Sequence, residues 1–409
     1  MFERLIDAWP FAGTKWGLMQ EFGKRRANVL KKRQCRTAVV LGGNLGDAVI
    51  YSTALHPLRQ ALPDDELTLI TRPNLLDLLG SIPFIDKTLN AHRVVRGPWL
   101  RARVPARRQI ARWTRPLWSK RYAVDRLVFL NQFVSPLELE LADAVQAEEV
   151  WGFSGGGYLG VRASDWDSKL THPFSLSNRD RRGEHLLVPM REFLSRLGFE
   201  GSWQSTEALE SLGPPFSSRK ESRRSLADAV GLIFPGCSYR GDIKLWPSMR
   251  YAEAIDAMGG AAPNRWVVCG QSDEAELCHE VAEQIRLKQG PDSVNVECSL
   301  GLRDLASLVA ESSFVLGVDN GGLHLAVALG VPSVTIVSGA VGGLYFPWGD
   351  PRRHQAATEV LDCWYCNYQC AYSQARCVVE VKAKTVGQLA VRVLGAGGQS
   401  EVEDPLLGN

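Results

Sequence analysis

Short apolar runs alternate with segments in which apolar residues recur at helical spacing, and this pattern extends over most of the chain. In the first half it predicts strands at 37–41, 67–71 and 127–131 and helices at 47–62 and 188–197. In the second half it predicts strands at 231–234, 266–269, 294–298, 314–317 and 333–337, and helices at 249–258, 273–287, 302–311 and 322–329. Strands separated by single helices pair in parallel through crossover connections, so both halves are predicted to be α/β units.

The segments that lack this alternation divide the 409 residues, a length that favours two domains over one. The predicted division is a basic amphipathic leader at 1–36, a first α/β domain at 37–204 with a basic, tryptophan-bearing insertion at 93–126, a linker at 205–228, a second α/β domain at 229–390 with a cysteine cluster at 363–377, and a tail at 391–409.

The composition is that of a folded globular protein, with 45% hydrophobic and 22% charged residues. The formal net charge is +2, so only local patches of charge point to a partner. The uncharged stretch 325–349 raises the question of a membrane span, but Pro332 and several glycines interrupt it, and 333–337 is typical of a buried parallel strand. The start does not resemble a signal peptide, because acidic residues interrupt it, so a cytoplasmic location is expected.

The most informative motif is Gly-Val-Asp-Asn-Gly-Gly-Leu-His-Leu-Ala at 317–326, which connects a predicted buried strand to a predicted helix. Free backbone N–H groups and the positive end of the helix dipole make such a junction suitable for phosphate. Gly321 and Gly322 allow a ligand to approach the backbone, and His324 in the first helical turn points toward the same crevice. The alternative is an ordinary strand–loop–helix junction with Asp319 as the helix cap.

A second junction of this kind lies near the start, where Gly-Gly-Asn-Leu-Gly-Asp at 42–47 follows the strand at 37–41. It lacks both the G-x-G-x-x-G spacing of a dinucleotide site and the Lys-Ser/Thr pair of a P-loop. Asp47 at the start of the helix is therefore either a catalytic carboxylate or a capping residue, and a single acid in this position is more often a cap.

Basic residues and tryptophans alternate in the insertion at 93–126, where Asp125 is the only acid. Such a segment suits an anionic partner, either a membrane surface or a phosphorylated lipid head group, because solubility alone does not require tryptophan. The alternative is a solvated, flexible loop. Nucleic acid is not expected, since no nucleic-acid-binding fold accompanies the patch. The candidate acceptor or membrane contacts are Arg101, Arg103, Arg107, Arg108, Arg112, Trp113 and Arg115.

Four of the nine cysteines form a Cys-x2-Cys-x3-Cys-x6-Cys pattern. In a cytoplasmic chain, four thiols in so short a span favour a tetrahedral thiolate metal site over disulfides, with zinc as the default ion and iron as a second choice. The alternative is a set of reduced thiols or one disulfide. No histidine lies nearby to suggest catalysis, so the predicted role is structural, and the candidate ligands are Cys363, Cys366, Cys370 and Cys377.

Taken in order, four motifs make the chain resemble glycosyltransferase family 9, the heptosyltransferases of lipopolysaccharide synthesis. They are Gly-Asp-Ala-Val at 46–49, Phe-Pro-Gly at 234–236 with Lys-Leu-Trp-Pro at 244–247, Gly-Gln-Ser-Asp-Glu at 270–274, and Asp-Asn-Gly-Gly-Leu-His-Leu-Ala at 319–326. The resemblance spans roughly residues 37–390. It implies an α/β fold of the GT-B architecture, with two Rossmann-like domains whose parallel sheets face a central cleft and a donor nucleotide bound mainly by the second domain.

The resemblance also implies roles for particular residues. Asp47 matches the general base, and Lys244 matches a lysine that contacts the donor diphosphate. Glu274 matches an acid near the ribose, with Glu276 as a competitor. The other positions that match donor-binding residues are Ser238, Gly270, Asp319, Asn320, Gly321, Gly322 and His324. The Asp-Trp-Asp sequence at 165–167 looks like a metal-binding D-x-D motif, but it is interpreted as a chance match in a polar loop of the wrong domain.

The implied activity is an inverting, metal-independent transfer of heptose from ADP-heptose to an anionic glycolipid of the lipopolysaccharide core, at the cytoplasmic face of the inner membrane. No cofactor is expected in catalysis, because a base, a lysine and a helix N-terminus supply the required charges. One alternative is a heptosyltransferase that modifies protein, with the cysteine cluster as an assembly element. Another is a non-catalytic protein that binds nucleotide sugars.

Overall fold

The computed structural model describes residues 34–96, 122–177, 182–206, 209, 211–212, 216, 229–237 and 241–395. The described residues from Arg36 onward belong to one compact unit, which contains two parallel-sheet domains. The elements of the first domain are β1 (Arg36–Leu41), α1 (Leu45–Ser52), α2 (Leu55–Ala61), β2 (Glu66–Thr71), α3 (Pro73–Leu79), β3 (Lys87–Asn90), α4 (Ala91–Arg96), β4 (Ala123–Phe129), β5 (Phe133–Val134), α5 (Pro136–Ala144), β6 (Gln146–Ser154), β7 (Gly157–Tyr158), α6 (Ala163–Asp167), β8 (His172–Ser175) and α7 (Leu187–Arg196).

The main sheet of the first domain has six parallel strands in the order β3-β2-β1-β4-β6-β8. The strands predicted at 37–41 and 67–71 are present, and the third is shifted to Ala123–Phe129. The outer strands β3 and β8 escaped prediction because their side chains are mostly exposed, so no apolar run marks them. The inner strand β1 is buried on both faces, as its continuous apolar sequence indicates.

The helix predicted at 47–62 is two helices, α1 and α2, with a break at Thr53 and Ala54. Pro57 explains the break, because a proline ring clashes with the carbonyl four residues earlier and is tolerated only in the first turn of a helix. The break turns the chain, and it leaves α1 as a short helix whose N-terminus follows the carboxyl end of β1.

The second domain contains β9 (Val230–Phe234), α8 (Gly241–Lys244), α9 (Ser248–Met258), β10 (Arg265–Cys269), α10 (Ala275–Gln289), β11 (Val294–Glu297), α11 (Leu302–Glu311), β12 (Phe314–Val318), α12 (Gly321–Ala328), β13 (Ser333–Ile336), β14 (His354–Ala357), α13 (Arg376–Val379) and α14 (Ala383–Gly395). Its six strands are parallel, in the order β11-β10-β9-β12-β13-β14. Every helix and strand predicted for this half is present, with each end within two residues of its predicted position.

Two segments contain buried residues that their composition did not indicate. Helix α14 continues to Gly395, beyond the domain end predicted at 390, and buries Val386, Ala390 and Val393. Within the predicted linker at 205–228, Leu209 and Phe216 are buried in the main hydrophobic core. Isolated apolar residues in a polar stretch give no periodic signal, so only the tertiary fold reveals that they are buried.

The uncharged stretch 325–349 begins in α12 and continues through β13, an inner strand of the second sheet. It is apolar because both elements are buried, as the sequence predicted. Over the residues that the structure describes, no helix has the length and apolarity that crossing a bilayer would need.

Candidate active site

The carboxyl ends of the two sheets meet where the first turn of α1 packs against the first turn of α12. Glycines make this approach possible: a Cβ on Gly46 would lie 2.7 Å from Cδ2 of His324, and one on Gly321 would lie 2.7 Å from Cδ2 of Leu45. Beside this contact lies a cavity of about 720 Å³, called the cleft below, whose walls come from both domains. Its size is that of a small-molecule or cofactor site.

The N-terminus of α12 is capped by Asn320, and not by Asp319 as the alternative interpretation had it. Asn320 Oδ1 accepts hydrogen bonds from the N–H groups of Gly322 and Leu323, at 2.9 and 3.3 Å. Its Nδ2 donates to the carbonyl oxygens of Phe234 and Gly236, at 3.2 and 2.7 Å. Asn320 therefore ties the loop after β9 to α12, and the Gly322 amide predicted for phosphate binding is already engaged by the cap.

The glycines at this junction also have a packing role. A Cβ on Gly322 would lie 2.6 Å from the ring of Phe234, and Gly321 contacts Leu45 as described above. Both glycines still line the cleft. The absence of a side chain at these glycines allows the helix to pack closely on the strand and one domain to pack closely on the other. Ligand access to the backbone remains the role predicted from the sequence.

Asp319 is the centre of a buried charged cluster. Lys244 Nζ donates to its Oδ2 at 2.8 Å, and His324 Nε2 lies 3.4 Å from its Oδ1. The lysine and the aspartate are 6% and 9% exposed. Burial opposes charge on both, but the mutual attraction outweighs it, so the pKa of Asp319 is lowered and the pKa of Lys244 is raised from their ordinary values. Both side chains are therefore charged near neutral pH.

His324 is held in one tautomer by its neighbours. Its Nδ1 accepts a hydrogen bond from Trp348 Nε1 at 3.1 Å, and the indole N–H can only donate. A neutral His324 therefore carries its proton on Nε2, which faces Asp319. The imidazole also stacks on Phe346, with ring centroids 4.2 Å apart. Sequence reasoning placed His324 in the crevice but missed both aromatic partners, which follow β13 and lie far from it in the sequence.

Asp47 combines the two roles that the sequence left open. Its Oδ2 accepts a hydrogen bond from the N–H of Asn44 at 3.0 Å, so it belongs to a capping box at the start of α1. It also lines the cleft and is partly buried. Burial is the largest effect on Asp47 and raises its pKa above the ordinary value, and the charge of Asp319 acts in the same direction. The hydrogen bond from Asn44 and the charges of His324 and Lys244 lower the pKa but do not outweigh burial. A carboxylate with a raised pKa is a better base than an exposed one.

Glu274 lines the cleft on the second-domain side, together with Gly270. Its Oε2 accepts a hydrogen bond from the N–H of Gln271 at 2.8 Å, and burial raises its pKa. A Cβ on Gly236 would lie 2.5 Å from the Glu274 carboxyl carbon, so the loop after β9 passes directly over this acid. The competing Glu276 is exposed and does not line the cleft.

Among the cleft residues that were not predicted from the sequence, three carry polar or aromatic groups of interest, namely Arg72, Asn74 and Tyr368. Arg72 and Asn74 enter from the start of α3 on the first-domain wall, and Nε of Arg72 is buried without a hydrogen-bond partner. Tyr368 enters from the cysteine-bearing segment, with its ring centroid 5.5 Å from Lys244 Nζ. None of the three belongs to a motif, since they reach the cleft only through the packing of their elements.

The four clustered cysteines line one small pocket, with Trp364 and Tyr372 beside them. All four are free thiols, and burial together with the charges of the other three raises the pKa of Cys377. Across the described ranges, no group of three or more His, Cys, Asp or Glu side chains is positioned to hold a metal ion. The donor set suits zinc or iron, but the thiols as placed do not form the site, so the metal stays a prediction. The four are Cys363, Cys366, Cys370 and Cys377.

Several predicted site residues lie outside the described residues. They are Ser238 and the basic and aromatic contacts Arg101, Arg103, Arg107, Arg108, Arg112, Trp113 and Arg115. The D-x-D sequence at 165–167 is described and does not line the cleft. Its central Trp166 is fully buried, and Asp167 accepts a hydrogen bond from the hydroxyl of Tyr158. The interpretation of this sequence as a chance match agrees with that placement.

Known proteins resemble this chain in both sequence and fold. The sequence model of Glycosyltransferase family 9 (heptosyltransferase) matches residues 179–359. Lipopolysaccharide heptosyltransferase 1 of Salmonella typhimurium is 24% identical over 321 residues, which cover 75% of this chain and 91% of that protein.

Solved structures of similar fold include E. coli heptosyltransferase WaaC with ADP-2-deoxy-2-fluoro heptose, with a TM-score of 0.57, 18% identity, and coverage of 80% of this chain and 93% of that one. A family 9 glycosyltransferase from Veillonella parvula has a TM-score of 0.59 and 19% identity, and the match covers 88% of this chain and 97% of that one. E. coli ADP-heptose lps heptosyltransferase II has a TM-score of 0.58, 14% identity, and coverage of 89% and 100%.

Two parallel-sheet domains with a cleft between the carboxyl ends of their strands define the GT-B architecture, which the similar heptosyltransferase structures share. The predicted fold class is thereby confirmed. The match of the family model to residues 179–359 and the Salmonella relative support the resemblance to glycosyltransferase family 9 that the four motifs indicated.

Proposed function

We propose that this glycosyltransferase transfers a heptose from ADP-heptose to a glycolipid of the lipopolysaccharide-core type, with inversion at the anomeric carbon. One observation carries the proposal: a single cleft is lined by Asp47 from the first domain and by Lys244, Asp319 and Glu274 from the second. A base on one wall and a cation on the other are what a direct displacement between two bound substrates needs.

In the proposed reaction, Asp47 takes the proton from the acceptor hydroxyl as the new bond to the anomeric carbon forms. The bond from that carbon to the diphosphate breaks, and the electron pair leaves with ADP. Lys244 and the N-terminus of α12 stabilise the charge that develops on the diphosphate. A metal ion is not needed for that purpose in this proposal, because an ammonium group and helix amides supply positive charge at the leaving group.

The donor proposal has support from the relatives and from the second-domain wall. The WaaC structure was solved with ADP-2-deoxy-2-fluoro heptose, and the Salmonella relative is a lipopolysaccharide heptosyltransferase. Glu274 is available to bind the hydroxyls of a ribose, since it lines the cleft and the hydrogen bond that caps the Ser272–Glu274 turn uses its Oε2. We therefore assign the binding of the ribose to Glu274 and not to Glu276.

The acceptor is proposed to be anionic and to be bound by the first domain. Among the described residues on that wall of the cleft, Arg72 is the one positively charged side chain. The predicted basic insertion at 93–126 would hold the enzyme at the cytoplasmic face of the inner membrane. Changing Arg107, Arg108 and Arg112 to serine should lower turnover on a lipid acceptor and leave turnover on a soluble acceptor unchanged. Equal loss on both acceptors would contradict membrane binding by this segment.

A protein acceptor is the second candidate, and in that case the cysteine cluster would serve as an assembly element. Mass spectrometry of co-expressed acceptor proteins separates the two acceptor classes. Metal analysis of the purified chain, with all four pocket cysteines changed to serine as control, tests the predicted structural zinc or iron. A metal-free wild-type protein that folds and transfers sugar normally would remove the metal from the proposal.

The activity is tested by nucleotide release from a panel of donors, namely ADP-heptose and ADP-, UDP- and GDP-hexoses, with a membrane glycolipid extract as acceptor. Asp47→Asn is the control, because an asparagine oxygen can still accept the capping hydrogen bond from Asn44. We expect acceptor-dependent release from ADP-heptose, reduced about 100- to 10,000-fold in the variant. Tight donor binding without release would instead indicate either a non-catalytic binding protein or a protein acceptor that the extract lacks.

A further inference from the structure

The segment that carries the four clustered cysteines also reaches the donor side of the cleft. Of residues 361–377, all of which the structure describes, only Tyr368 lines the cleft. Its ring centroid lies 5.5 Å from Lys244 Nζ, within the range of a cation–π contact. The neighbouring Tyr372 lines the small cysteine pocket instead, where the guanidinium of Arg376 lies 4.9 Å from its ring centroid.

The backbone around Tyr368 is held in an unfavourable conformation. Tyr365, Asn367 and Tyr368 have φ angles of 68°, 49° and 62°, in the left-handed region that non-glycine residues rarely adopt. A backbone conformation of this kind is unfavourable for a non-glycine residue and persists only where surrounding contacts enforce it. Strain of this kind is concentrated at binding and catalytic sites, so this turn is a candidate for a functional role.

The enforcing contacts are visible on the loop that follows β13. The N–H of Tyr365 donates to the carbonyl of Gly339 at 2.9 Å, and the N–H of Asn367 donates to the carbonyl of Ala340 at 2.8 Å. The ring of Trp364 packs directly on Gly339, where a Cβ would clash with it. The turn is thus fixed to the second domain at three points, and this attachment brings Tyr368 to Lys244.

The chemistry of Lys244 explains what the ring could do. The ammonium has three N–H donors, and one is used by Asp319 at 2.8 Å. The face of an aromatic ring attracts the ammonium without offering an acceptor strong enough to compete with phosphate. A ring on one side and a carboxylate on another hold the ammonium in place and leave donor capacity for an anion in the cleft.

We propose that Tyr368 is a positioning residue for the donor: its ring orients the Lys244 ammonium toward the diphosphate of a nucleoside diphosphate sugar. The cysteine-bearing segment is then part of the donor site as well as a separate thiol pocket. This inference rests on the proposed function, since it requires that a nucleoside diphosphate occupy the cleft.

The test uses full-length Tyr368→Ala and Tyr368→Phe, with Tyr372→Ala as the matched control on the same segment. Calorimetry measures binding of ADP, UDP and GDP to the wild type, and the variants are compared with the nucleotide that binds. We expect Tyr368→Ala to weaken binding about tenfold, the scale of a desolvated cation–π contact. Tyr368→Phe, which keeps the ring, and Tyr372→Ala should bind as the wild type does. In turnover, Tyr368→Ala should raise the donor KM and leave the acceptor KM unchanged.

The outcomes separate the two proposals. Wild-type affinity in Tyr368→Ala overturns the positioning role, and so does equal weakening in Tyr368→Ala and Tyr372→Ala, which would indicate a general effect on the segment. Loss of affinity in Tyr368→Phe as large as in Tyr368→Ala would mean that the hydroxyl and not the ring acts, and would also overturn it. A wild-type chain that binds none of the three nucleotides would refute the proposed function itself.

Discussion

The buried ion pair between Lys244 and Asp319 can be tested by removing each partner alone and then both together. The two atoms lie 2.8 Å apart and the residues are 6% and 9% exposed, so solvent screens the pair little. Asp319→Leu leaves the ammonium without its carboxylate and also removes the group that faces Nε2 of His324. Removing one member of a buried pair costs about 3–5 kcal/mol, and we expect a loss near the upper end because two groups lose a partner.

Lys244→Met should cost less, about 3 kcal/mol, because Asp319 keeps His324 Nε2 at 3.4 Å. In the double variant no ammonium remains to be buried without a partner. The double variant should therefore be more stable than Asp319→Leu alone, by about 2 kcal/mol. This reversal, in which a second substitution restores stability, is what distinguishes a charge pair from two independent packing contacts.

The assay is equilibrium unfolding of the full chain in urea, followed by tryptophan fluorescence, with comparisons made where the m-value is unchanged. The lowered pKa of Asp319 means that its contribution is present above its ordinary pKa of 3.8 and is lost as pH falls. The raised pKa of Lys244 means that its contribution is present below 10.5 and is lost as pH rises past that value. The gap between wild type and Asp319→Leu should therefore be smaller well below pH 3.8 than it is at neutral pH. A double variant as unstable as the sum of the two single variants would refute this reasoning.

Three further outcomes follow from the cleft. Asp47→Asn should lose activity and gain stability at neutral pH. The raised pKa of Asp47 means that folding disfavours its charged form, and this cost grows as pH rises. A gain in the free energy of unfolding that is as large at pH 3 as at pH 7, measured in urea, would contradict this prediction. Trp348→Phe should lower the free energy of unfolding by about 1–3 kcal/mol, because the buried Nδ1 of His324 loses its hydrogen-bond donor. Unchanged stability would mean that a water molecule takes over the hydrogen bond of the indole N–H. Gly46→Ala should lower the free energy of unfolding by about 1–3 kcal/mol, because the new methyl group would crowd His324 across the domain contact. Gly260 has open space around it, so Gly260→Ala should not destabilise the protein in this way. Equal effects of the two substitutions in thermal unfolding would argue against the close approach at Gly46.

The two junctions of the cleft were visible in the sequence because strand, turn and helix follow one another directly there. Asp47 and Asp319 could be placed near the carboxyl ends of parallel strands, where ligands of such sheets bind. The aromatic partners of His324 and Lys244 could not be placed in the same way. Trp348 and Tyr368 come from loops that follow β13 and β14, and no local spacing connects such loops to a residue in α8 or α12.

The glycines at 321 and 322 show how a correct motif can have a different physical cause. The sequence indicated that these glycines make room for a ligand. In the structure their lack of a side chain also allows α12 to pack closely against Phe234 and Leu45. Likewise Asn320, expected to offer its amide to phosphate, uses its side chain as the helix cap. Capping and packing depend on which groups the fold brings opposite these positions, and the motif does not contain that information.

The sequence by itself indicated the resemblance to glycosyltransferase family 9, the alternation of parallel strands and helices, and the candidate charged residues of the cleft, because periodicity and short motifs act over a few neighbouring residues. Only the tertiary structure decided which groups meet. The ion pair of Lys244 with Asp319 joins residues 75 positions apart, and the contact of Gly46 with His324 joins the two domains. Burial of these groups together sets their charges and raises the pKa of Asp47, and burial is a property of the folded chain that no local pattern carries.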